Sequence, residues 1–280
     1  MYRVVKHETI APAIVRVGVL APLIARAALP GQFIILRVTS DGERIPLTIS
    51  DCDAQTGIVE MISQTVGATT RDLATLKVGD DLSDIAGPLG KPSEFFDAKR
   101  VICVGGGVGT AVLLPQARHL FRAGTPADII IGARSGDLLI LEDELRPLSR
   151  TLTLCTDDGS YGMHGRVTDA LLPMLKSAPP ELCIAIGPPI MMKFVCEMTR
   201  GFGVKTIVSL NPLMVDGTGM CGCCRVTVDG KTQYACVDGP DFDGHLVDFD
   251  SFMQRLGAYK DEEAEQNQLH PCGGVFHGAH

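Results

Sequence analysis

One constellation in the chain has both the donor types and the spacing of a metal cluster. Asp216, Cys221, Cys224 and Cys236 read as D-x4-C-x2-C-x11-C, and plant-type 2Fe-2S centres are held by C-x4-C-x2-C with a distant fourth cysteine. Thiolates are soft donors and a carboxylate is a hard one, so Asp216 is expected to be the weakest of the four ligands. Gly217, Gly219 and Gly222 let the backbone wrap closely around such a group. Iron–sulfur ligation is the first reading, with a zinc site on the same donors and unliganded thiols as the alternatives. Cys223 has no place in the spacing.

A second candidate is the turn Gly105-Gly106-Gly107-Val108-Gly109-Thr110, which follows the apolar run Val101–Val104 and opens a helical pattern from Thr110 to Phe121. A glycine-rich turn there lets backbone N–H groups approach a pyrophosphate, helped by the positive end of the helix. The spacing departs from G-x-G-x-x-G because Thr110 stands in the third glycine's place. The ribose-binding acid expected about 20 residues on is also missing; the next strand ends in Gly132-Ala133-Arg134-Ser135, where the Arg and Ser would suit a 2′-phosphate. The plain alternative is a tight strand-to-helix turn. Asp157 and Asp158 follow a third strand, at an edge suited to a ligand or to capping a loop.

The elements that must hold these residues fall into three segments. Residues 1–97 hold the β-branched runs YRVVKHETI, AIVRVGVL, GQFIILRV and GIVEMIS, parted by Pro or Gly, which predicts a small antiparallel barrel. Residues 98–208 alternate apolar strands (Val101–Val104, Asp128–Gly132, Thr151–Thr156, Leu182–Ile186) with helical patterns such as Glu142–Leu148. That alternation predicts a doubly wound parallel sheet. Residues 209–280 carry the cysteine loop and then a strongly acidic stretch, with nine acids against Arg255 and Lys260 between Val237 and Glu265. It reads as a solvated surface lobe or, alternatively, a docking face.

Composition narrows the function classes. The 280 residues are 45% hydrophobic and 21% charged, enough for a folded core. The net charge of −8 and the 5% aromatic content without Trp argue against a nucleic-acid binder. Charges interrupt every apolar run at the N-terminus, and the longest uncharged run, Val101 to Ala117, is shorter than a membrane span and holds four glycines. A reducing cytoplasm is therefore expected, where clustered thiols bind metal more often than they pair. Of the ten cysteines, Cys103, Cys155, Cys183 and Cys196 fall in or near apolar elements of the second segment and read as packing. Cys52 and Cys272 stay without a role.

Along most of its length the chain resembles a known family. Pro30-Gly31-Gln32-Phe33, Arg44-Ile45-Pro46-Leu47-Thr48, Gly87-Pro88-Leu89-Gly90, the Gly105–Thr110 turn, Gly187-Pro188-Pro189-Ile190-Met191-Met192 and the cysteine loop stand in the order used by ferredoxin–NADP reductase-like flavoproteins. More narrowly, they are similar to the iron–sulfur flavin subunits of the dihydroorotate dehydrogenase electron-transfer group. Asp216 in the first ligand place points within that group to the ferredoxin:NADP oxidoreductase, or sulfide dehydrogenase, type. The resemblance implies an antiparallel six-stranded FAD barrel, an NAD(P)-binding α/β domain and a small C-terminal 2Fe-2S lobe. It implies FAD near Arg44, Pro46, Leu47, Thr48 and Ile62, with its pyrophosphate at Gly67, Thr69 and Thr70, where a short helix opens. It implies NAD(H) on the turn of Gly105, Gly106, Gly107, Gly109 and Thr110, with Gly187 and Pro188 near the nicotinamide and Asp157 and Asp158 as further contacts. The chemistry implied is hydride exchange between NAD(H) and FAD, with single electrons relayed through the cluster. The implied partner is a larger flavoprotein subunit resembling the glutamate synthase small subunit, in a heterodimer, with ferredoxin reached through that partner. The alternatives are the electron-transfer subunit of an NAD-dependent dihydroorotate dehydrogenase and, from another class, a non-catalytic regulatory module with a structural zinc lobe.

Overall fold

The computed structural model describes residues 1–259, 261–262 and 264–265; Cys272 lies outside the described residues. The first strands are β1 (Tyr2–Ala11), β2 (Ile14–Leu20), β3 (Phe33–Arg37), β4 (Arg44–Asp53), β5 (Ile58–Gln64), β6 (Asp81–Leu82) and β7 (Asp84–Leu89), with the short helices α1 (Pro22–Ala27) and α2 (Ala68–Thr75) between them. They form one antiparallel sheet in the order β6-β1-β2-β5-β4-β3-β7. Only Ser83 separates β6 from β7, so the chain leaves one edge of the sheet and enters the other within a residue. The edges are thereby joined and the sheet becomes a near-closed barrel of six strands, the last one bent. Its interior holds Val4, Val17, Val19, Ile34, Leu36, Val59, Met61, Leu73 and Leu82, all buried.

Sequence pattern alone does not mark β4 as a strand, because Pro46 sits within it and Ser-Asp-Cys-Asp ends it. The structure explains the tolerance. Arg44–Thr48 pairs with β3 and Ile49–Asp53 pairs with β5, so the half that contains the proline has a ladder neighbour on one side only. Proline lacks the N–H for two-sided pairing and is accepted at such an edge.

The second unit begins with β8 (Val101–Gly106) and continues with α3 (Gly109–Arg122), β9 (Asp128–Ala133), α4 (Glu142–Leu145), β10 (Thr151–Thr156), β11 (Met163–His164), α5 (Val167–Ser177), β12 (Leu182–Ile186), α6 (Pro189–Arg200) and β13 (Lys205–Ser209). The sheet order is β11-β10-β9-β8-β12-β13, all parallel. The chain starts in the middle, winds outward to one side and then crosses to the other, leaving a crevice at the carboxyl ends of β8 and β12. Both strands are buried throughout, as a sheet covered by helices on two faces requires. Cys103, Cys155, Cys183 and Cys196 are buried packing thiols, and burial pushes the Cys103 and Cys196 thiols up to about 12 and Cys155 up to about 11.

Residues after 208 do not stand apart. β14 (Arg225–Val228) and β15 (Lys231–Tyr234) make a hairpin, but β16 (Asp241–Asp243) adds antiparallel to β13 and extends the α/β sheet, and α7 (Phe249–Leu256) packs against α6. The described acids of this stretch are exposed or half-exposed, and several of them also have defined partners. Asp248 caps α7 by accepting the Ser251 N–H (3.0 Å), Asp238 accepts the Tyr234 N–H (2.8 Å) and Asp250 pairs with Lys193 (2.7 Å). Asp241 is turned inward onto Ser93. These acids have local backbone and side-chain partners, which net charge counted along the sequence cannot reveal.

Barrel and α/β unit are held together by an apolar cluster of Ala11, Ile14, Ile62, Ala111 and Ile140, flanked by the ion pairs Arg118–Asp51 and Arg16–Glu144.

Candidate functional site

A cavity of about 1140 Å³ lies where the barrel, the switch point of the sheet and the segment after β13 meet. The barrel contributes Ile14, Phe33, Pro46, Leu47, Thr48, Ile62 and Gln64. Across from them stand the β8–α3 turn (Gly106, Gly107, Val108, Gly109), the β12–α6 turn (Gly187, Pro188) and Asp157 after β10. Ser209, Leu210, Asn211, Met214 and Pro240 close the end nearest the cysteine loop.

The two glycine turns touch each other. A Cβ on Gly109 would sit 2.6 Å from the carbonyl oxygen of Ile186 and 2.8 Å from the Cα of Gly187. One on Gly106 would meet Met191 Sδ at 2.5 Å. Gly107 has φ +54 and spends its N–H on the Gly132 carbonyl (2.9 Å). The turn's N–H groups of Val108 and Gly109 have no backbone acceptor among the described residues, and both residues line the cavity. That pair of open donors at the start of α3 is suited to an anion.

The residues singled out from sequence divide as follows. Pro46, Leu47, Thr48, Ile62, Gly106, Gly107, Gly109, Asp157, Gly187 and Pro188 share the cavity wall. Gly105 and Thr110 lie behind it, with the Thr110 hydroxyl turned onto Gly105 (3.2 Å from a Cβ built there). Asp158 is off the wall and caps its own loop, accepting from Ser160 N–H (2.9 Å) and Ser160 Oγ (2.6 Å). Arg44 pairs with Asp84 at 3.4 Å. Gly67, Thr69 and Thr70 open α2 just after β5, off the wall as well; the Thr70 hydroxyl accepts the Gly67 N–H (3.0 Å).

Sequence reasoning missed the wall that α6 and α5 supply. Ile190, Met191, Phe194 and Met198 of α6, and Arg166 and Thr168 at the start of α5, all line the cavity. The signal was present in α6: a helix with Met192, Val195 and Cys196 on its core side carries a second apolar stripe, which must face something.

In the cysteine loop the donors come together in pairs. Cys224 and Cys236 are buried with their Sγ atoms 3.2 Å apart. Burial, then the contact with Cys224, pushes the Cys236 thiol up to about 12. The Asp216 carboxylate accepts the N–H groups of Thr218 (2.8 Å) and Cys221 (2.9 Å), which hold it below the ordinary carboxylate range. Backbone groups of Cys223 and Asp216 lower the exposed Cys221 thiol, while the hydrogen bond from Cys223 to Cys221 raises Cys223. Gly217 has φ +77, and a Cβ there would lie 2.7 Å from Leu89 and 2.8 Å from Ile35, so the loop is pressed onto the barrel. No three His, Cys, Asp or Glu side chains converge on one point among the described residues. A two-iron cluster would share its four ligands between two irons; here the Cys224 and Cys236 thiols are adjacent, and Asp216 is held to the main-chain N–H of Cys221.

A closed antiparallel barrel, a doubly wound sheet and a ligand-sized cavity between them define the ferredoxin reductase-like oxidoreductases, and this molecule is one of them. Phthalate dioxygenase reductase, 18% identical over 84% of this chain and 93% of that one, shares the fold with a TM-score of 0.59. The chain belongs to the family of dihydroorotate dehydrogenase B electron-transfer subunits and their homologues, and residues 211–248 match the model for the iron–sulfur cluster binding domain of dihydroorotate dehydrogenase B. It is 47% identical to the dihydroorotate dehydrogenase B (NAD(+)) electron transfer subunit homolog of Thermotoga maritima, over 93% of this chain and 92% of the relative. A chain of the NADH-dependent reduced ferredoxin–NADP oxidoreductase superimposes with a TM-score of 0.91 at 44% identity, covering 97% of this chain and 98% of its own. The reading as a non-catalytic zinc module is set aside: this is an oxidoreductase electron-transfer subunit. No helix among the described residues is long and apolar enough to cross a membrane.

Proposed function

We propose that the chain carries FAD and a 2Fe-2S cluster, exchanges hydride with NAD(H), and hands single electrons to a larger flavoprotein subunit of the ferredoxin:NADP oxidoreductase or sulfide dehydrogenase type. The observation that carries this is the single cavity shared by the barrel, both glycine turns and Leu210–Met214, the segment that leads into the cysteine loop. Its volume of about 1140 Å³ exceeds the ~300–1,000 Å³ of an ordinary small-molecule pocket and suits two ring systems side by side.

Pro46, Leu47, Thr48 and Ile62 form the flavin side. Arg44, with Gly67, Thr69 and Thr70 at the start of α2, is assigned to the flavin's phosphates outside the cavity proper. On the facing side, the open N–H groups of Val108 and Gly109 suit the pyrophosphate of NAD(H), and Gly187 and Pro188 bound the nicotinamide end. Asp157 suits the ribose hydroxyls and its charge disfavours a 2′-phosphate, whereas Arg134 on the same wall would favour one; NAD(H) is proposed because the Thermotoga relative carries NAD(+) in its name.

Asp216 with Cys221, and Cys224 with Cys236, are assigned as the two ligand pairs. Thiols must lose their protons to bind metal, and burial of Cys236 opposes that loss, so cluster loading is coupled to proton release. Bound FAD would take up two electrons as hydride and release them singly, which joins a pyridine nucleotide to a one-electron centre.

The partner proposed is a glutamate-synthase-small-subunit-like flavoprotein, forming a cytoplasmic heterodimer that reaches ferredoxin. A second reading, service to an NAD-dependent dihydroorotate dehydrogenase, is supported by the match at residues 211–248 and by the name of the Thermotoga relative. Anaerobic purification from the native host, with assays of flavin, iron, acid-labile sulfide and the co-purifying subunit, tests both. Flavin without iron refutes the relay, and a co-purifying dihydroorotate dehydrogenase replaces the first reading with the second.

A further inference from the structure

Two stretches with no ligand assigned above, Pro30-Gly31-Gln32 and Gly90-Lys91-Pro92-Ser93, meet the iron–sulfur lobe at one partly buried joint. Gln32 Nε2 donates to the Gly90 carbonyl (2.8 Å), the Ser93 N–H to Pro30 (2.8 Å) and the Lys91 N–H to Gly239 in the lobe (2.7 Å). At the centre, Ser93 Oγ donates to Asp241 Oδ2 (2.6 Å) and accepts from Gln116 Nε2 of α3 (3.0 Å). One serine hydroxyl therefore ties the barrel's exit segment, the α/β unit and the lobe together. Asp241 stands in register opposite Ser209, and Ser209 and Pro240 line the cavity.

Two acceptors at the joint lack a donor. Gln116 is fully buried with Oε1 unpartnered, and Asp241 Oδ1 is likewise closed off and unpartnered. Asp241 as a residue keeps partial exposure, but that oxygen does not. A buried acceptor without a donor is costly, and a carboxylate without a cation more so. A proton on Asp241 converts one surplus acceptor into a donor. Among the described residues no cation pairs with Asp241: on the surrounding elements, Arg118 pairs with Asp51, His119 stacks on Phe95 and Lys205 lies over Phe96. The Asp243 carboxylate accepts the His245 N–H. The linker's Lys91 and Glu94 make no side-chain ion pair with it among the described residues.

We propose that Asp241 is a positioning residue that works as the carboxylic acid: bonded to Ser93, it fixes the iron–sulfur lobe against the cavity wall, and loss of its proton loosens that joint. The functional consequence rests on the reading that cavity and cluster exchange electrons, since the joint sets the distance between them. Burial raises this carboxyl above its ordinary 3.8, opposed by the hydrogen bond from Ser93. The folded form thus holds the proton more tightly than the unfolded one, so the joint is firmest at low pH and weakens as pH rises through the raised value.

The test is hydrogen exchange at the amides of Lys91, Leu210 and Gly239–Asp243 in the full chain, compared over pH with wild type, D241N, D241A and S93A. Exchange in the wild type is expected to gain an extra acceleration as pH rises, which D241N, unable to ionise, abolishes. D241A is expected to exchange roughly ten- to a hundredfold faster throughout, as the loss of a buried hydrogen bond implies. S93A, which keeps the acid, should exchange faster and move the pH midpoint upward, because the hydroxyl that favours the ionised carboxylate is gone. In the loaded enzyme, flavin-to-cluster electron transfer should follow the same pH curve in wild type and be flat in D241N. D241N matching wild type at every pH overturns the proposal, and so does an S93A midpoint that does not move. Wild type without flavin or iron would instead refute the function proposed above, while the exchange data still decide the joint.

Discussion

The phosphate-side turn contains three glycines whose replacement by alanine should fail in three different ways. At Gly109 the new Cβ meets backbone, 2.6 Å from Ile186 O and 2.8 Å from Gly187 Cα, and neither can swing aside. Alanine in a helix gains about 1 kcal/mol over glycine, but overpacking against unyielding atoms costs about 1–3 kcal/mol, so G109A should lose up to about 2 kcal/mol. At Gly107 the site is open, with no atom within 4 Å of the Cβ, and φ is +54. The left-handed backbone costs about 1–2 kcal/mol for alanine, offset by about 0.4–1 kcal/mol of unfolded-state entropy, for a small net loss. At Gly106 the obstacle is Met191 Sδ at 2.5 Å, the end of a flexible side chain that lines the cavity. G106A should therefore stay near wild-type stability while Met191 is pushed into the nucleotide side and NADH binding weakens. Urea unfolding gives the stability order and a fluorescence titration gives the NADH affinity. A G109A protein as stable as wild type, or a G106A protein with unchanged NADH affinity, would refute the argument from close approach.

Further outcomes follow from the same geometry. Cys224→Ser should abolish iron content, whereas D216C should retain it and alter the visible spectrum, as measured by iron assay and absorption. Asp157→Ser should improve NADPH affinity relative to NADH by about fivefold, the scale of one exposed charge interaction, read by titration with both nucleotides. Asp128 accepts from Arg150 Nε (2.9 Å) and Thr151 Oγ1 (2.7 Å). Although burial opposes it, these partners hold its carboxyl below 3.8. Its contribution is then present above that value and lost as pH falls through the depressed one. D128N should cost about 1–3 kcal/mol at pH 7, after allowing for the half-exposed Arg150, and acid titration of unfolding should show the variant's deficit vanish at low pH.

Much of the fold was legible because its signals are local. Apolar runs such as Val101–Val104 and Ile129–Ile131 suit interior strands of a covered sheet, and the alternation with helices implied parallel winding. β4 was not legible as a strand, since its proline is acceptable only because β5 leaves that half unpaired. The α6 wall of the cavity was not legible either, because a helix with two apolar sides does not say which one faces a ligand.

By itself the sequence determined which atoms are available: a carboxylate and three thiols at cluster spacing, glycines where a Cβ would block close approach, and the barrel-then-α/β order. Spacing along a chain limits where donors can go, since residues a few positions apart cannot lie far apart. Tertiary structure alone decided how those atoms are shared. It paired Cys224 with Cys236 and Cys221 with Asp216, spent the Gly107 N–H on Gly132, left those of Val108 and Gly109 open, and turned Asp241 inward onto Ser93. Such pairings join residues up to 148 positions apart. They depend on which surfaces the packed core brings together, and no local pattern encodes that.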